Sequence, residues 1–167
     1  MRVFGAPSTV VSALLAALLS GVGLAGCAHA PRANPWKTFS TPAPVRAGAL
    51  PEAIGSYSAG CVRGAGSLEP DGEGYALMRL SRARFYGHPA LLDFVQQLAS
   101  RVSRASRGER LLVGDLGMAR GGPTMSTHKS HQSGLDVDIW FETLPKGARL
   151  TAGERESRSA PSVLTPD

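Results

Sequence analysis

His128, His131, Asp136 and Asp138 fall within one eleven-residue stretch, 128–138, of a chain of 167 residues that has four histidines. Imidazole nitrogen and carboxylate oxygen are the ligands of a catalytic zinc that keeps one position open for water or substrate. The same residue types serve other ends. Asp-x-Asp at a strand end suits an oxygen-only calcium site or a solvated edge, and His-x-x-His in a Ser/Thr/Gly-rich loop occurs as a plain polar loop. No helical His-Glu-x-x-His pattern fixes zinc, so spacing leaves these readings open. A catalytic zinc also needs three protein ligands. His131 and Asp138 would supply two, and no histidine follows His131.

The surrounding sequence predicts how these groups are held. Leu135 to Phe141 alternates apolar and polar residues, the pattern of a half-buried strand. Leu135, Val137 and Ile139 would then face a core, and Asp136 and Asp138 a cleft. Gly134 permits a bend before the strand, so that the His131 ring, on the preceding loop, can turn toward Asp138. Further strands are predicted over residues 74–80 and 110–118. A helix is predicted from Pro89 to about Arg107, with Leu91, Leu92, Val95, Leu98, Ala99 and Val102 as its apolar stripe. Pro89 suits the first turn, His88 before it suits a structural role, and Gly108 ends the helix. The Gly-rich loop 119–130 is placed at the site. The fold class is α+β, a helix on a mainly antiparallel sheet with one modest core.

The N-terminus reads as an export signal. Arg2 precedes a mostly apolar run from Val10 to Leu24, too short for a good membrane span. Leu24-Ala25-Gly26-Cys27 resembles the lipobox of bacterial lipoproteins. That resemblance implies a signal peptide over 1–26, a lipidated Cys27 and stable anchoring by several acyl chains. Ala28, where inner-membrane retention would use Asp, resembles outer-membrane sorting. The alternative is a plain signal peptide and a soluble periplasmic product. Residues 27–51, interrupted by Pro31, Pro35, Pro42, Pro44 and Pro51, read as an extended tether. His29 in that segment is not a ligand candidate. Net charge is +5, which favours acidic polymers, but no aromatic-interleaved basic patch indicates nucleic acid.

Several strings go beyond spacing. Ser130-His131-Gln132-Ser133-Gly134-Leu135-Asp136-Val137-Asp138-Ile139 resembles the zinc motif of penicillin-insensitive murein endopeptidases. Residues 53–61 (AIGSYSAGC) resemble the start of that family's domain, and residues 84–89 (RFYGHP) and 114–118 (GDLGM) followed by Gly121-Gly122 also match it, in order. The resemblance covers about residues 50–150. It implies a fold shared with lysostaphin-type peptidases, D-Ala-D-Ala carboxypeptidases and the hedgehog domain, with the metallopeptidase domain over 52–146. It implies Zn2+ as cofactor, His131 and Asp138 as ligands, and His128 beside the metal as a catalytic group. The implied reaction is hydrolysis of D-alanyl–diaminopimelyl cross-links, with peptidoglycan as partner in the periplasm. Alternatives are a non-catalytic peptidoglycan-binding lipoprotein and a D-Ala-D-Ala carboxypeptidase. In the family a His-x-His pair nearer the C-terminus supplies the third ligand, and a Cys at the position of Cys61 pairs with one near the C-terminus. Neither partner follows here, so Cys61 is expected to be unpaired. Residues 147–167 are then read as a polar tail or the start of a missing region, and the fold as incomplete.

Overall fold

The computed structural model describes residues 40–44, 46–124 and 129–160. The elements in order are β1 (Glu52–Ser56), β2 (Ala59–Arg63), β3 (Gly66–Ser67), β4 (Asp71–Gly72), β5 (Tyr75–Leu77), a 3-10 turn (Leu80–Arg82), β6 (Tyr86–Gly87), α1 (Pro89–Ala105), β7 (Arg110–Val113), β8 (Ile139–Leu144) and α2 (Ala152–Ser157). The fold is α+β. The largest sheet has the order β4-β5-β7-β8. β5 and β7 are parallel, and the other pairs in that sheet are antiparallel. A parallel pair needs a crossover connection, and α1, lying between them in the chain, provides it. β1 and β2 form a separate antiparallel hairpin, and β3 pairs with β6.

Side-chain alternation along the strands divides the interior in two. Tyr75, Leu77, Leu111 and Val113 pack against Leu91, Leu92, Val95 and Ala99 of α1. Ala76, Met78, Leu112 and Leu144 form a second cluster, covered by Trp140, Ala148 and Leu150. α1 matches its predicted stripe closely. His88 is its N-cap, its Nδ1 accepting from the Ala90 N–H at 3.2 Å, with Pro89 at the first helical position.

The strands are shorter than their sequence patterns. β5 stops at Leu77 because Arg79 takes a left-handed conformation (φ 57°) and opens the 3-10 turn. β7 stops at Val113 because its continuation changes partner: Leu116 N–H donates to Arg84 O, and Gly117 and Tyr86 exchange backbone hydrogen bonds. The predicted strand from Leu135 begins instead at Ile139 and runs on to Leu144. Leu135 is 52% exposed rather than in the core, whereas Val137 and Ile139 do pack against the α1 cluster.

The polar stretch after residue 146, read as a tail or the start of a further region, contains the helix α2. Thr151 and Glu154 form a capping box at the start of α2. Arg155 is only 6% exposed. It donates to Pro70 O at 3.0 Å and Leu77 O at 2.7 Å, and pairs with Asp71. The buried anchor is an arginine, so no apolar periodicity announced it.

Arg155→Met should therefore lower stability by about 2 kcal/mol, since it strips two carbonyls and a half-exposed carboxylate of their donor. A denaturant midpoint unchanged from wild type would contradict this role. The Arg155 hydrogen bond holds Asp71 below the ordinary carboxylate range, against the opposing effect of burial and with help from Arg110. A depressed folded-state pKa contributes stability that is present above the unfolded value and lost as pH falls through the folded one. Acid titration of wild type should show that loss, and Arg155→Met should reduce it.

Candidate metal centre

His131 enters the site on an unusual backbone. Its φ is 70°, a left-handed conformation that a non-glycine residue adopts at a cost. The residue is 3% exposed. Its backbone N–H donates to Asp136 Oδ2 at 3.0 Å, and its ring Nδ1 lies 2.9 Å from the same oxygen. Nδ1 is also 3.4 Å from the Asp136 carbonyl oxygen. On the other side of the ring, Nε2 lies 3.4 Å from Asp138 Oδ2. Asp136 and Asp138 thus approach different nitrogens of one imidazole. The alternating strand expected to project both into one cleft is absent there, because Asp136 folds back onto the His131 backbone and holds 131–136 as a loop.

Asp138 is fixed through its backbone. Its N–H donates to Asp115 O at 2.9 Å, and its carbonyl accepts from Gly114 N–H at 2.8 Å. A Cβ on Gly114 would lie 3.0 Å from Trp140 Nε1 and 3.2 Å from Asp138 Cβ, so glycine is what lets the two segments approach. The Asp115 carboxylate, 4% exposed, accepts from Arg82 at 2.8 Å and Arg84 at 2.9 Å. A buried charge of this kind requires such partners, and together they anchor the segment that carries Asp138.

Gln132 fastens the loop to the β1–β2 hairpin. Its backbone N–H donates to Tyr57 O at 3.0 Å. Its side-chain amide donates to Ser58 O and Lys129 O, each at 2.9 Å, and accepts from Gly60 N–H at 3.4 Å. Gly134, with φ 70°, makes the bend expected of it, and its carbonyl accepts from His88 N–H at 2.8 Å. The N-cap of α1, the hairpin tip and the 114–115 segment therefore all brace the loop on which His131 sits. Sequence reasoning missed the separate duty of Asp136 and the clamp formed by Gln132. Both lie inside the motif, but only tertiary contacts distinguish them from their neighbours.

The pair His131 and Asp138 fits zinc. Two donors each about 2.0–2.1 Å from a tetrahedral ion lie about 3.3–3.4 Å apart. Nε2 and Oδ2 have that separation without any rearrangement. Burial disfavours charge on the His131 ring, but the Asp138 hydrogen bond and the charges of Asp136 and Asp138 outweigh it and raise the ring above its ordinary pKa. A metal bound there would displace the ring proton, since a ligating imidazole is neutral. Among the described residues no group of three His, Cys, Asp or Glu side chains that could hold a metal ion is found. His128, expected beside the metal, lies outside the described residues, as does Cys27, the lipidation candidate. Cys61 is half-buried on β2 and carries no disulfide among the described residues.

Comparison with known proteins agrees with the motif. A family model described as penicillin-insensitive murein endopeptidase matches residues 53–167. A protein of that name from Escherichia coli is 44% identical over 140 residues, which cover 84% of this chain and 46% of the relative. Another of that name, from Shigella dysenteriae serotype 1, is 45% identical over 134 residues, 80% of this chain and 44% of the relative. The chain spans about half the length of these curated relatives.

Proposed function

The chain belongs to the penicillin-insensitive murein endopeptidase family, and from that premise we propose that it acts as a zinc endopeptidase on peptide cross-links of bacterial peptidoglycan. The observation that carries this reading is the 3.4 Å spacing of His131 Nε2 and Asp138 Oδ2, the edge length of a tetrahedral zinc site. Bound there, zinc would supply Lewis acidity, lowering the pKa of water and polarising the scissile carbonyl. The chain's own residues have distinct tasks. His131 and Asp138 would hold the ion on a braced loop. His128 is assigned to proton movement or to steadying the charge that develops on the substrate. The bond assigned is the D-alanyl–diaminopimelyl cross-link.

The same reading supports a location in the periplasm, where peptidoglycan lies. Among the described residues no helix is long and apolar enough to cross a membrane. Attachment to the outer membrane is assigned to acylation of Cys27. A Cys27→Ser variant should lose incorporation of radiolabelled fatty acid, and retained label would refute that attachment.

The function is tested with dimeric muropeptides. Cleavage to monomers is expected, with loss on chelation and recovery when zinc is restored. A folded, zinc-loaded protein that leaves the dimer intact would overturn the assignment. Release of free D-Ala from uncrosslinked pentapeptide in place of dimer cleavage would identify a carboxypeptidase instead.

A further inference from the structure

We infer that Asp136 is a positioning residue for the metal centre, setting the tautomer and the angle of the His131 ring so that Nε2 is the nitrogen that ligates. The inference rests on the zinc reading above and assigns a duty to a residue that was expected merely to share a cleft with Asp138.

Four observations converge. Asp136 Oδ2 accepts the backbone N–H of His131 at 3.0 Å and stands 2.9 Å from its ring Nδ1, while the Asp136 carbonyl oxygen lies 3.4 Å from the same nitrogen. Anchoring backbone and ring to a single atom fixes the side-chain torsions as well as the loop. The contact at Nδ1 is shorter than the 3.4 Å between Nε2 and Asp138 Oδ2, so a neutral ring places its proton on Nδ1. The second Asp136 oxygen, Oδ1, is buried and has no hydrogen-bond partner among the described residues, so the hydrogen bond that orients this carboxylate is the one Oδ2 accepts from the His131 backbone N–H. Finally, His131 holds a left-handed backbone at φ 70°, a conformation that persists only where surrounding contacts impose it. The Asp136 bridge from residue 136 back to residue 131 is such a contact.

A carboxylate on the far nitrogen of a ligating histidine is the usual device for fixing ring orientation and raising ligand basicity. Asp136 cannot instead be a ligand to the same ion, because it occupies the nitrogen opposite the one that faces Asp138. Its role is to make the His131–Asp138 edge ready before the ion arrives.

Two measurements on the full chain test this, one without metal. In metal-free protein, at a pH high enough to leave the ring neutral, long-range proton–nitrogen spectra read the imidazole tautomer directly. Wild type is expected to carry its proton on Nδ1, and Asp136→Ala to shift toward the Nε2-protonated form. Chelator competition then reads zinc affinity, with about 10- to 100-fold weakening expected for Asp136→Ala. Asp136→Asn keeps an oxygen able to accept the His131 backbone N–H and to face Nδ1. It should retain the tautomer and fall between the other two in affinity, a rescue that a purely loop-closing role does not predict. An Nε2-protonated wild-type ring would overturn the proposal. So would Asp136→Ala with unchanged tautomer and affinity. Failure of wild type to bind zinc would instead refute the zinc reading, while the metal-free spectrum would still decide the duty of Asp136.

Discussion

His131→Ala is expected to remove stoichiometric zinc and to lower cross-link hydrolysis by more than about 100-fold, beyond the loss expected of an outer-shell partner alone. The variant deletes one donor of the 3.4 Å edge and leaves Asp138 Oδ2 without its imidazole. It also removes the ring that Asp136 orients, while Asp136 Oδ2 can still accept the backbone N–H of residue 131. The loop should therefore keep its course, and circular dichroism should show a folded protein. Metal analysis after dialysis is the deciding measurement, because it separates lost binding from lost chemistry. Normal zinc content in this variant would refute the ligand assignment, whatever its activity. Asp138→Ala should behave similarly, since it removes the other end of the same edge.

Gly121→Ala should be the most damaging small substitution near the site, costing about 4 kcal/mol or more in stability, a size reserved for severe backbone or core defects. Gly121 lies where the Gly-rich loop passes between β2 and the motif loop. Its φ is +64°, and an added Cβ would stand 1.9 Å from Gln132 O, 2.9 Å from Val62 N and 3.0 Å from Cys61 Cα. All three obstacles are backbone atoms, so no side chain can swing aside. Moving them would break the bonds from Val62 N–H to Arg120 O and from Gly122 N–H to Gln132 O, both 3.0 Å. Because Gln132 adjoins His131, any protein that still folds should also bind zinc more weakly. A midpoint of unfolding close to wild type would contradict this account of the loop. Gly153→Ala is the natural control, because an added Cβ there meets nothing within 4 Å.

The sequence disclosed elements whose signal is local. The stripe from Leu91 to Val102, the proline at the first helical position and the glycine after the last turn specify α1 without reference to anything else. His88 was legible as a structural residue for the same reason, and it caps the helix. Strand patterns were legible as to face but not as to length. Leu111, Leu112 and Val113 could be placed in a strand, but where β7 ends depends on Arg84 and Tyr86 taking over as backbone partners. That exchange is between residues far apart in the chain. α2 was illegible because its buried anchor is charged. Arg155 is stabilised by two carbonyls and Asp71, and no periodicity of apolar residues marks such a helix. The hairpin of β1 and β2 was likewise read only as a domain start, although Gln132 joins its tip to the centre.

Within the site, the amino-acid order alone determined the family, the candidate donors His131 and Asp138, and the bend at Gly134. These follow from residue identity and from the glycine's freedom at positive φ. What only the tertiary structure decided is the division of labour between two aspartates two residues apart. On a regular strand they would share one face, and nothing in their spacing distinguishes them. The left-handed turn at His131 and the return of Asp136 to its backbone break that equivalence. The physical reason is that a hydrogen-bonded loop, braced by Gly114, Asp115, Gln132 and His88, takes precedence over local strand preference. It puts one carboxylate on each nitrogen of the same ring.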